Sequence, residues 1–266
     1  MTLALIAGAG ALPAALVAAL PQRPYMAALD GFMPAGVTPD TSFRVERLMP
    51  FLRQLEDAGV TRVCFAGAVQ RPRLDPALFD PATATIVPRL LAAMGQGDDA
   101  TLREVLAIFE EAGFAITGVP DIAPALVPAA GLYAGAMTPR DESDAIRAAT
   151  ITAALGRVDV GQGAVVQQGL CLAVETLSGT DAMLASVAAL SHLRPAGAKG
   201  LFYKAPKPLQ DRRIDLPTLG PDTVENAAKA GLGGIVWEAG GVITLNLPAM
   251  IETANRHGLF LCARTA

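Results

Sequence analysis

The sequence has few of the residues that build disulfide frameworks and zinc sites. Its 266 residues include three cysteines, two histidines and one tryptophan. An odd number of cysteines does not suit a disulfide framework. The sequence places Cys64, Cys171 and Cys262 in separate apolar runs, which predicts buried free thiols. His192 and His257 lie far apart near expected helix ends, so they supply no zinc-binding spacing. Any bound metal is therefore expected to have oxygen ligands.

Charge is also sparse, at 17% of residues with a net charge of −4, and aromatic residues make up 5%. A mildly acidic chain with so few aromatic residues lacks the surface that nucleic acids usually need, so we expect no nucleic-acid partner. The mean hydropathy is high, at +0.40. However, the longest apolar stretch, from Leu3 to Leu20, is broken by Gly8, Gly10 and Pro13 and predicts neither a membrane span nor a signal peptide. We expect a cytoplasmic protein.

The first half alternates strand and helix patterns. LALIAG, YMAALD, TRVCFAG and FAITGV predict strands, and LPAALVAAL and VERLMPFLRQLEDAG predict helices, the second ending at Gly59. Two more helices are expected around Thr85–Met94 and Asp98–Ala112. This order predicts an α/β fold with a Rossmann-like parallel sheet, in which the loops GAGALP, DGFMP and GAVQRP share one rim.

The chain is long enough for about 1.8 domains of roughly 150 residues. The proline-rich stretch 121–143 is predicted to be a linker or partly ordered loop that acts as a hinge. We therefore predict a first domain over 1–128 and a second, α/β or α+β domain over 129–266. In the second domain DESDAIRAATITAALGR predicts a helix, AVVQQGLCLAVE two strands joined at Gln168 and Gly169, and LFYKA, GIVWEAGG and VITLN further strands. Further helices are expected over Asp181–Leu190, Thr223–Ala230 and Pro248–Asn255.

Two glycine-rich helix starts could bind a phosphate or simply make tight turns. GAGALP begins like a dinucleotide fingerprint, although Pro13 stands where its third glycine would be. In GQGDDATL, Asp98 or Asp99 could contact substrate or act only as an N-cap. The candidate substrate-binding residues from these loops are Gly8, Gly10, Leu12, Pro13, Gly97 and Asp98.

The strongest pattern is the segment KAPKPLQDRRIDLPTLGPDTV, which concentrates cations in a chain poor in charge. Its candidate substrate-binding residues are Lys204, Lys207, Gln210, Arg212 and Arg213. If RRIDLP is extended, Arg213 and Asp215 share one face, and the cations would keep Asp215 ionised. Such a carboxylate suits a base that orients water, or a metal ligand. The alternative for this segment is a purely structural role, as a network of ion pairs.

Helix starts and a strand end supply the remaining candidates. Asp222 and Glu225 have capping-box spacing, which predicts a helix beginning near Thr223, whose N-terminus would favour an anion. LSGTDAML is a similar start, with Thr180 as a candidate ligand contact and Asp181 as either a cap or a ligand. Glu238 ends an apolar strand before a glycine pair that would let a ligand come close.

The motifs GAGALP, GAVQRP, GQGDDATL, DVGQGAVVQQGLCLAVETLSGTDAML, KAPKPLQDRRIDLPTLGPDTV and AGLGGIVWEAGG occur together and in this order. In this combination the chain closely resembles the UDP-2,3-diacylglucosamine pyrophosphatase family of lipid A biosynthesis, in its alphaproteobacterial type. The resemblance implies hydrolysis of UDP-2,3-diacylglucosamine to UMP and 2,3-diacylglucosamine 1-phosphate with Mg²⁺ or a similar ion, at the inner membrane surface. It also implies that the two domains enclose the substrate, with the ligand site between them. The catalytic acid that it implies is Asp215, the aspartate of the RxDLP motif, and we take this residue as a possible metal ligand.

Two other function classes compete with this interpretation. The Rossmann-like half would suit an NAD(P)-binding oxidoreductase, with Asp30 at the end of the second strand placed to bind a ribose. A glycolipid- or nucleotide-binding protein without catalysis is the other alternative. The apolar composition also suggests a homodimer.

Overall fold

The structure is a computed structural model that describes residues 2–70 and 73–265, so Arg71 and Pro72 of the GAVQRP motif lie outside it. The chain forms two compact units. The first unit runs to Ala125 and also includes Asp211–Asp215. The second comprises Leu126–Gln210 and the chain from Leu216 onward. A short piece of the cationic segment thus belongs to the first unit, although it lies far along the chain.

The first unit is a parallel sheet with helices. Its strands are β1 Thr2–Ala7, β2 Tyr25–Leu29, β3 Thr41–Phe43, β4 Val60–Ala66 and β5 Ala115–Ile116. Its helices are α1 Leu12–Ala19, α2 Leu48–Asp57, α3 Pro81–Ala84, α4 Val87–Met94, α5 Asp98–Glu111 and α6 Val119–Ile122. The strand order is β3-β2-β1-β4-β5 and every pairing is parallel. The predicted Rossmann-like sheet is confirmed.

Helix α2 illustrates why the local pattern was informative. Its buried residues are Leu48, Phe51, Leu52 and Leu55, which repeat at helical spacing and pack in the core of the first unit. Gly59 follows the helix with a φ of +70°, a left-handed conformation that glycine adopts without a steric penalty. The predicted helix and its end are therefore confirmed.

The second unit is built on a mixed six-stranded sheet. Its strands are β6 Gly131–Ala134, β7 Gly163–Gln167, β8 Leu170–Val174, β9 Leu201–Lys204, β10 Thr218–Leu219, β11 Gly234–Glu238, β12 Ile243–Thr244 and β13 Phe260–Arg264. Its helices are α7 Pro139–Gly156, α8 Gly179–Ala189, α9 Pro221–Lys229 and α10 Leu247–His257. The large sheet has the order β6-β13-β11-β9-β7-β8, and β10 pairs with β12 separately. This is the second α/β domain that the sequence predicts.

Helices cover both faces of the larger sheet. On one face, a core of side chains from α8, α9 and α10 packs with Phe202 and Trp237. On the other face, Ala145 and Ala148 of α7 pack against the sheet, and their small size lets the helix lie close to it. Because both faces are covered, the central strands β9 and β11 are buried along their whole length.

The stretch predicted to be a linker or a partly ordered loop contains the division between the two units, after Ala125, but it is structured rather than partly ordered. It contains β6, which pairs antiparallel with β13 at the edge of the sheet. Tyr133 of β6 stacks on Trp237, with ring centroids 5.7 Å apart. An edge strand of four residues with exposed Leu132 carries no alternating pattern, and its partner β13 lies far away in sequence. Strands β3, β10 and β13 were also not predicted.

The cysteines and histidines are only partly as expected. All three cysteines are free, but Cys171 is exposed and Cys262 is intermediate, so burial holds for Cys64 alone. Cys171 is exposed because it lies on β8, the edge strand of the sheet. His192 lies in a 3₁₀ turn after α8 and His257 ends α10, as predicted. Within residues 2–70 and 73–265, no helix is long and apolar enough to cross a membrane.

Candidate functional site

The loops after β1, β2 and β4 meet at one edge of the first sheet, as expected for parallel strands. The backbones of Ala9 and Ala68 exchange two hydrogen bonds of 2.8 and 2.9 Å. A Cβ at Gly8 would lie 2.6 Å from the Ala68 carbonyl oxygen, and the Ala35 N–H donates to the Gly10 carbonyl at 3.1 Å. The glycine at position 8 is thus required by the close approach of two loops, whether or not a ligand binds there.

The remaining residues of this loop begin helix α1. Gly10 has a φ of +96° and open space around its Cα, so its conformation requires glycine. Leu12 and Pro13 are the first two residues of α1, where a proline costs no hydrogen bond. Pro13 is buried and packs in the unit, while substrate contact by Leu12 and Pro13 stays a prediction.

The helix that begins at the second glycine-rich loop, α5, does not have the N-cap that the sequence suggested. Gly97 is the N-cap of α5, with a φ of +124°, so neither Asp98 nor Asp99 fills that position. Both aspartates lie in the first helical turn, where negative charge is favoured by the helix dipole. Asp99 pairs with Arg103 at 2.9 Å. Asp98 therefore remains a candidate for substrate contact rather than a cap.

The RRIDLP motif is not extended, so the predicted sharing of one face by Arg213 and Asp215 is wrong. Arg212–Ile214 form a turn. The turn is closed by hydrogen bonds from the N–H groups of Ile214 and Asp215 to the Asp211 carbonyl, at 3.2 and 3.4 Å. Period two does not apply in a turn, because successive side chains no longer alternate between two faces.

Arg213 is held by two carboxylates that the sequence did not single out. Its Nη2 lies 2.7 Å from Asp211 Oδ2, and its Nη1 lies 2.7 Å from Glu110 Oε1 on α5. The hydrogen bond from Arg213 holds the pKa of the Asp211 carboxyl below its usual value. Gly118 leaves room for this turn, since a Cβ there would lie 3.2 Å from the Arg213 Cα. The predicted structural alternative, an ion-pair network, exists at Arg213.

In the second unit, Lys204 and Thr180 lie together with Glu175, which was not predicted. Lys204 Nζ lies 2.7 and 2.6 Å from the two Glu175 carboxylate oxygens and 2.8 Å from the Thr180 hydroxyl. The Thr180 hydroxyl donates in turn to Glu175 at 2.8 Å. The side chains of Lys204 and Glu175 are only 5% and 11% exposed. The cation is therefore neutralised inside the protein by a fixed carboxylate.

The DVGQG motif makes space for Glu175. A Cβ at Gly161 would lie 2.0 Å from the Glu175 carbonyl oxygen, and one at Gly163 would lie 3.0 Å from Glu175 Oε2. The signal in the sequence was a lone acidic residue at the end of the apolar strand LCLAV, the same pattern that pointed to Glu238. Its partner Lys204 lies 29 residues away, which concealed the pair.

Lys207 and Gln210 form a second group close by in the same unit. Lys207 Nζ forms an ion pair with Asp159, and the Lys207 N–H donates to Gln210 Oε1 at 2.9 Å. Gln162 Nε2 donates to the same oxygen at 2.8 Å. Gln210 is buried and shapes the loop that carries Lys207. A direct substrate contact by Gln210 stays a prediction.

Glu238 ends strand β11, as predicted, and its side chain is buried. A Cβ at Gly241 would lie 2.7 Å from Glu238 Oε1, so the glycine leaves space for the carboxylate itself. Burial, and secondarily the charge of Glu238, raises the pKa of Tyr203 to about 12. Tyr203 thus stays protonated at neutral pH.

Asp181 and Thr223, the candidates near two helix starts, each accept a hydrogen bond from another protein group. Asn226 donates to Asp181 Oδ1 at 3.0 Å, linking α9 to α8. The predicted capping box is wrong: α9 begins at Pro221 after Gly220, whose N–H donates to the Thr223 hydroxyl at 3.3 Å. Glu225 instead lies 2.8 Å from His257. Proline at the first helical position set the earlier start.

The described residues contain no group of three or more histidine, cysteine, aspartate or glutamate side chains arranged to hold a metal ion. Asp211, the carboxylate nearest in sequence to Asp215, is already bonded to Arg213. The described side chains thus offer no all-protein cage. Mg²⁺ commonly binds through one or two carboxylates and substrate phosphates, and Asp215 could supply one such ligand.

These features define a two-domain α/β protein, with a Rossmann-like sheet followed by a second sheet whose loops carry lysines and arginines. The LpxI N-terminal domain matches residues 2–126 and the LpxI C-terminal domain matches residues 129–262. The chain is also 38% identical to a Caulobacter vibrioides protein named UDP-2,3-diacylglucosamine pyrophosphatase LpxI, over 97% of this chain and 96% of that protein. The chain belongs to the LpxI family, and the resemblance seen in its motifs is confirmed.

Proposed function

We propose that this protein hydrolyses the diphosphate bond of UDP-2,3-diacylglucosamine, releasing UMP and 2,3-diacylglucosamine 1-phosphate in lipid A biosynthesis. The observation that carries the proposal is the similarity along the whole chain to the Caulobacter pyrophosphatase, together with a match to both LpxI domains. The match to the LpxI C-terminal domain spans the cationic segment, whose positive charges suit a diphosphate substrate.

Cleaving a diphosphate depends mainly on stabilising the charge that develops on phosphoryl oxygens. Arg213 is suited to this because Asp211 and Glu110 fix its guanidinium while using only three of its five N–H groups. Lys207 is fixed in a similar way by Asp159. Lys204 is different, because its side chain is only 5% exposed and is bonded to Glu175 inside the unit, so a ligand has little access to it. We therefore assign phosphate binding to Lys207, Arg212 and Arg213, and to Lys204 the role of holding the ends of β8 and β9.

We propose that Asp215 orients the attacking water through its carboxylate. It directly follows the turn that carries Arg212 and Arg213, so a water held by it would lie beside cations that bind the diphosphate. Mg²⁺ or a similar ion, when bound, would lower the charge of the diphosphate, with Asp215 as one ligand. The proton released by the water would pass to the Asp215 carboxylate or to solvent.

We also propose that the protein works in the cytoplasm and touches the inner membrane surface, where the acyl chains of its substrate lie. Leu177 is 99% exposed two residues after Glu175, and Leu209 is 71% exposed beside Gln210. Leucines so exposed, one close in sequence to Glu175 and one beside the predicted site residue Gln210, would suit contact with lipid. The substitutions Leu177→Ser and Leu209→Ser should weaken co-sedimentation with anionic liposomes. Leu193→Ser, at a site that is also 71% exposed, is the matched control.

The reaction is tested with purified protein and UDP-2,3-diacylglucosamine in detergent micelles, following release of UMP. Asp215→Asn should lower turnover at least about 10²-fold while leaving the circular dichroism spectrum unchanged. Asp57→Asn removes an exposed carboxylate of the same unit and should hydrolyse normally. Wild-type turnover by Asp215→Asn would exclude the proposed role of this residue. Recovery of bound, uncleaved UDP-lipid from the wild-type protein would favour a binding protein without catalysis.

Metal dependence and oligomeric state need separate measurements. Loss of hydrolysis in EDTA, restored by Mg²⁺, would support the proposed ion, and full activity in EDTA would contradict it. Light scattering would test the proposed homodimer.

Hydrolysis in ¹⁸O-labelled water would show whether the label enters UMP or the sugar phosphate, and so which phosphorus is attacked.

A further inference from the structure

The first unit contains a cavity of about 250 Å³ where strands β2 and β3 end. Its lining includes polar, charged and aromatic side chains from the loops that follow β2, β3 and β4, namely Asp30, Phe32, Arg44, Glu46, Gln70 and Arg73. The Asp30 N–H donates to the Phe43 carbonyl at 2.8 Å, which ties the ends of β2 and β3 together. The cavity therefore lies at the edge where doubly wound sheets bind ligands.

One side of the cavity is formed by Arg44, which a buried carboxylate holds in place. Arg44 Nη2 lies 3.2 Å from Glu46 Oε1, and the Glu46 side chain is only 3% exposed. Glu46 Oε1 also accepts a hydrogen bond of 2.8 Å from the Asp75 N–H, so this carboxylate is firmly placed. Arg44 Nε itself is buried, so a ligand in the cavity would not reach that atom. The Arg44 side chain as a whole is 42% exposed, so the rest of it is open to a ligand.

The lining fits a sugar hydroxyl pair better than an anion or an acyl chain. Asp30 can only accept hydrogen bonds when ionised, whereas Arg44 can only donate them. A ribose diol does both, because each hydroxyl donates and accepts. The charges of Asp30, Glu46, Arg44 and Arg73 balance, so the lining as a whole does not favour an ion of either sign. Phe32 adds an aromatic side chain to the lining, and aromatic rings can stack on a base.

The volume of the cavity also favours the nucleoside of the proposed substrate. A volume of about 250 Å³ is below the roughly 300–1,000 Å³ of pockets that enclose drug-sized ligands. A polar cavity of this volume does not suit two long acyl chains, but it could take a nucleoside. In doubly wound sheets, an acidic residue at the end of the second strand commonly binds a ribose, which is the position of Asp30.

We propose that this cavity binds the nucleoside end of the substrate, with Asp30 accepting from the ribose hydroxyls and the exposed part of the Arg44 guanidinium donating to one of them. The identity of the nucleoside as uridine rests on the proposed function. Binding of a nucleoside in this cavity does not require hydrolysis. The proposed nucleoside site and the proposed reaction can therefore be refuted separately.

The test is titration calorimetry of the full chain with UMP, followed by hydrolysis assays on the same preparations. Asp30→Asn and Arg44→Lys should each weaken UMP binding at least about tenfold, the loss expected for one hydrogen bond to a charged group. In the assay they should raise KM for the UDP-lipid more than they lower kcat, because the nucleoside does not react. Asp57→Asn, outside the cavity, should bind UMP as the wild type does.

The outcomes of these measurements would separate the proposed nucleoside site from the proposed reaction. Wild-type hydrolysis with UMP affinity and KM unchanged in both variants would overturn the nucleoside site and leave the proposed reaction intact. UMP binding that depends on Asp30, in a protein without hydrolysis, would support the site and overturn the reaction. Failure of UMP to bind the wild type, or tighter binding of NADH or AMP than of UMP, would overturn the assignment to uridine. Because Asp30 is exposed, Asp30→Asn should fold even if Arg44→Lys does not.

Discussion

Lys204 Nζ lies 2.6 Å from Glu175 Oε2, and both side chains are almost completely buried. Two charges removed from water in this way are each costly, and each is tolerated because of the other. The Thr180 hydroxyl completes the group by bonding to both partners. Lys204 thus connects the end of β9 to the loop after β8 and to the first turn of α8.

Removing either member of this pair should destabilise the second unit. Glu175→Gln leaves the Lys204 ammonium buried without its counterion, and we expect a loss of about 3–5 kcal/mol in the free energy of unfolding. The measurement is guanidinium unfolding followed by fluorescence of Trp237, which is the only tryptophan in the chain and lies in the core of this unit.

The control for this prediction is the double variant Lys204→Met with Glu175→Leu, which replaces both charges with apolar side chains of similar volume. It should unfold closer to the wild type than either single variant, because no charge is left uncompensated. Additive losses in the double variant would mean that the two side chains stabilise the unit independently.

Gly161 should be intolerant of any side chain. An added Cβ would lie 2.0 Å from the Glu175 carbonyl oxygen, which is backbone and has little freedom to move. We expect Gly161→Ala to lower the stability of the second unit by about 1–3 kcal/mol, as overpacking does in other cores. Gly131→Ala is the matched control, since its Cβ would lie no nearer than 3.8 Å to another atom. Equal unfolding midpoints for the two variants in the Trp237 assay would refute the requirement for space at Gly161.

The sequence was informative where the pattern is local. The stripe of Leu48, Phe51 and Leu55 marks α2, and Gln168 and Gly169 both have positive φ at the turn of the predicted hairpin. Strands β6 and β13 were missed because each is defined by pairing across a long stretch of chain. The same reason applies to Glu175 and Glu110, whose cationic partners lie far along the sequence. Local periodicity does not reveal contacts of this kind.

Arg213 should control the titration of Asp211. The pKa of the Asp211 carboxyl is lowered chiefly by the hydrogen bond from Arg213. Since the folded pKa is below the unfolded value, this group stabilises the fold above the unfolded pKa, near 3.9. The contribution is lost as the pH falls through the folded pKa. In Arg213→Gln the pKa of Asp211 should rise, as measured by NMR titration of the side-chain carboxyl carbons.

Asp80 provides the comparison within the same unit. Burial acts to raise its pKa, but hydrogen bonds from Thr83 and from the Ala82 N–H outweigh burial and keep the pKa low. Its titration should not change in Arg213→Gln. If the pKa of Asp211 stayed low in this variant, the carboxylate would be stabilised by another group and the turn would not depend on Arg213.

The three thiols should react in the order of their accessibility. Cys171 is exposed on edge strand β8, whereas Cys64 is fully buried in β4, where burial raises the pKa of its thiol to about 12. The thiolate is the nucleophile, so Cys64 combines low accessibility with a very small reactive fraction near neutral pH. Iodoacetamide should therefore modify Cys171 first, as followed by peptide mass spectrometry. Cys64 should react only when the first unit opens, at a rate that rises with added guanidinium. Modification of Cys64 as fast as Cys171 in buffer alone would show that the first sheet opens readily and would contradict its buried position.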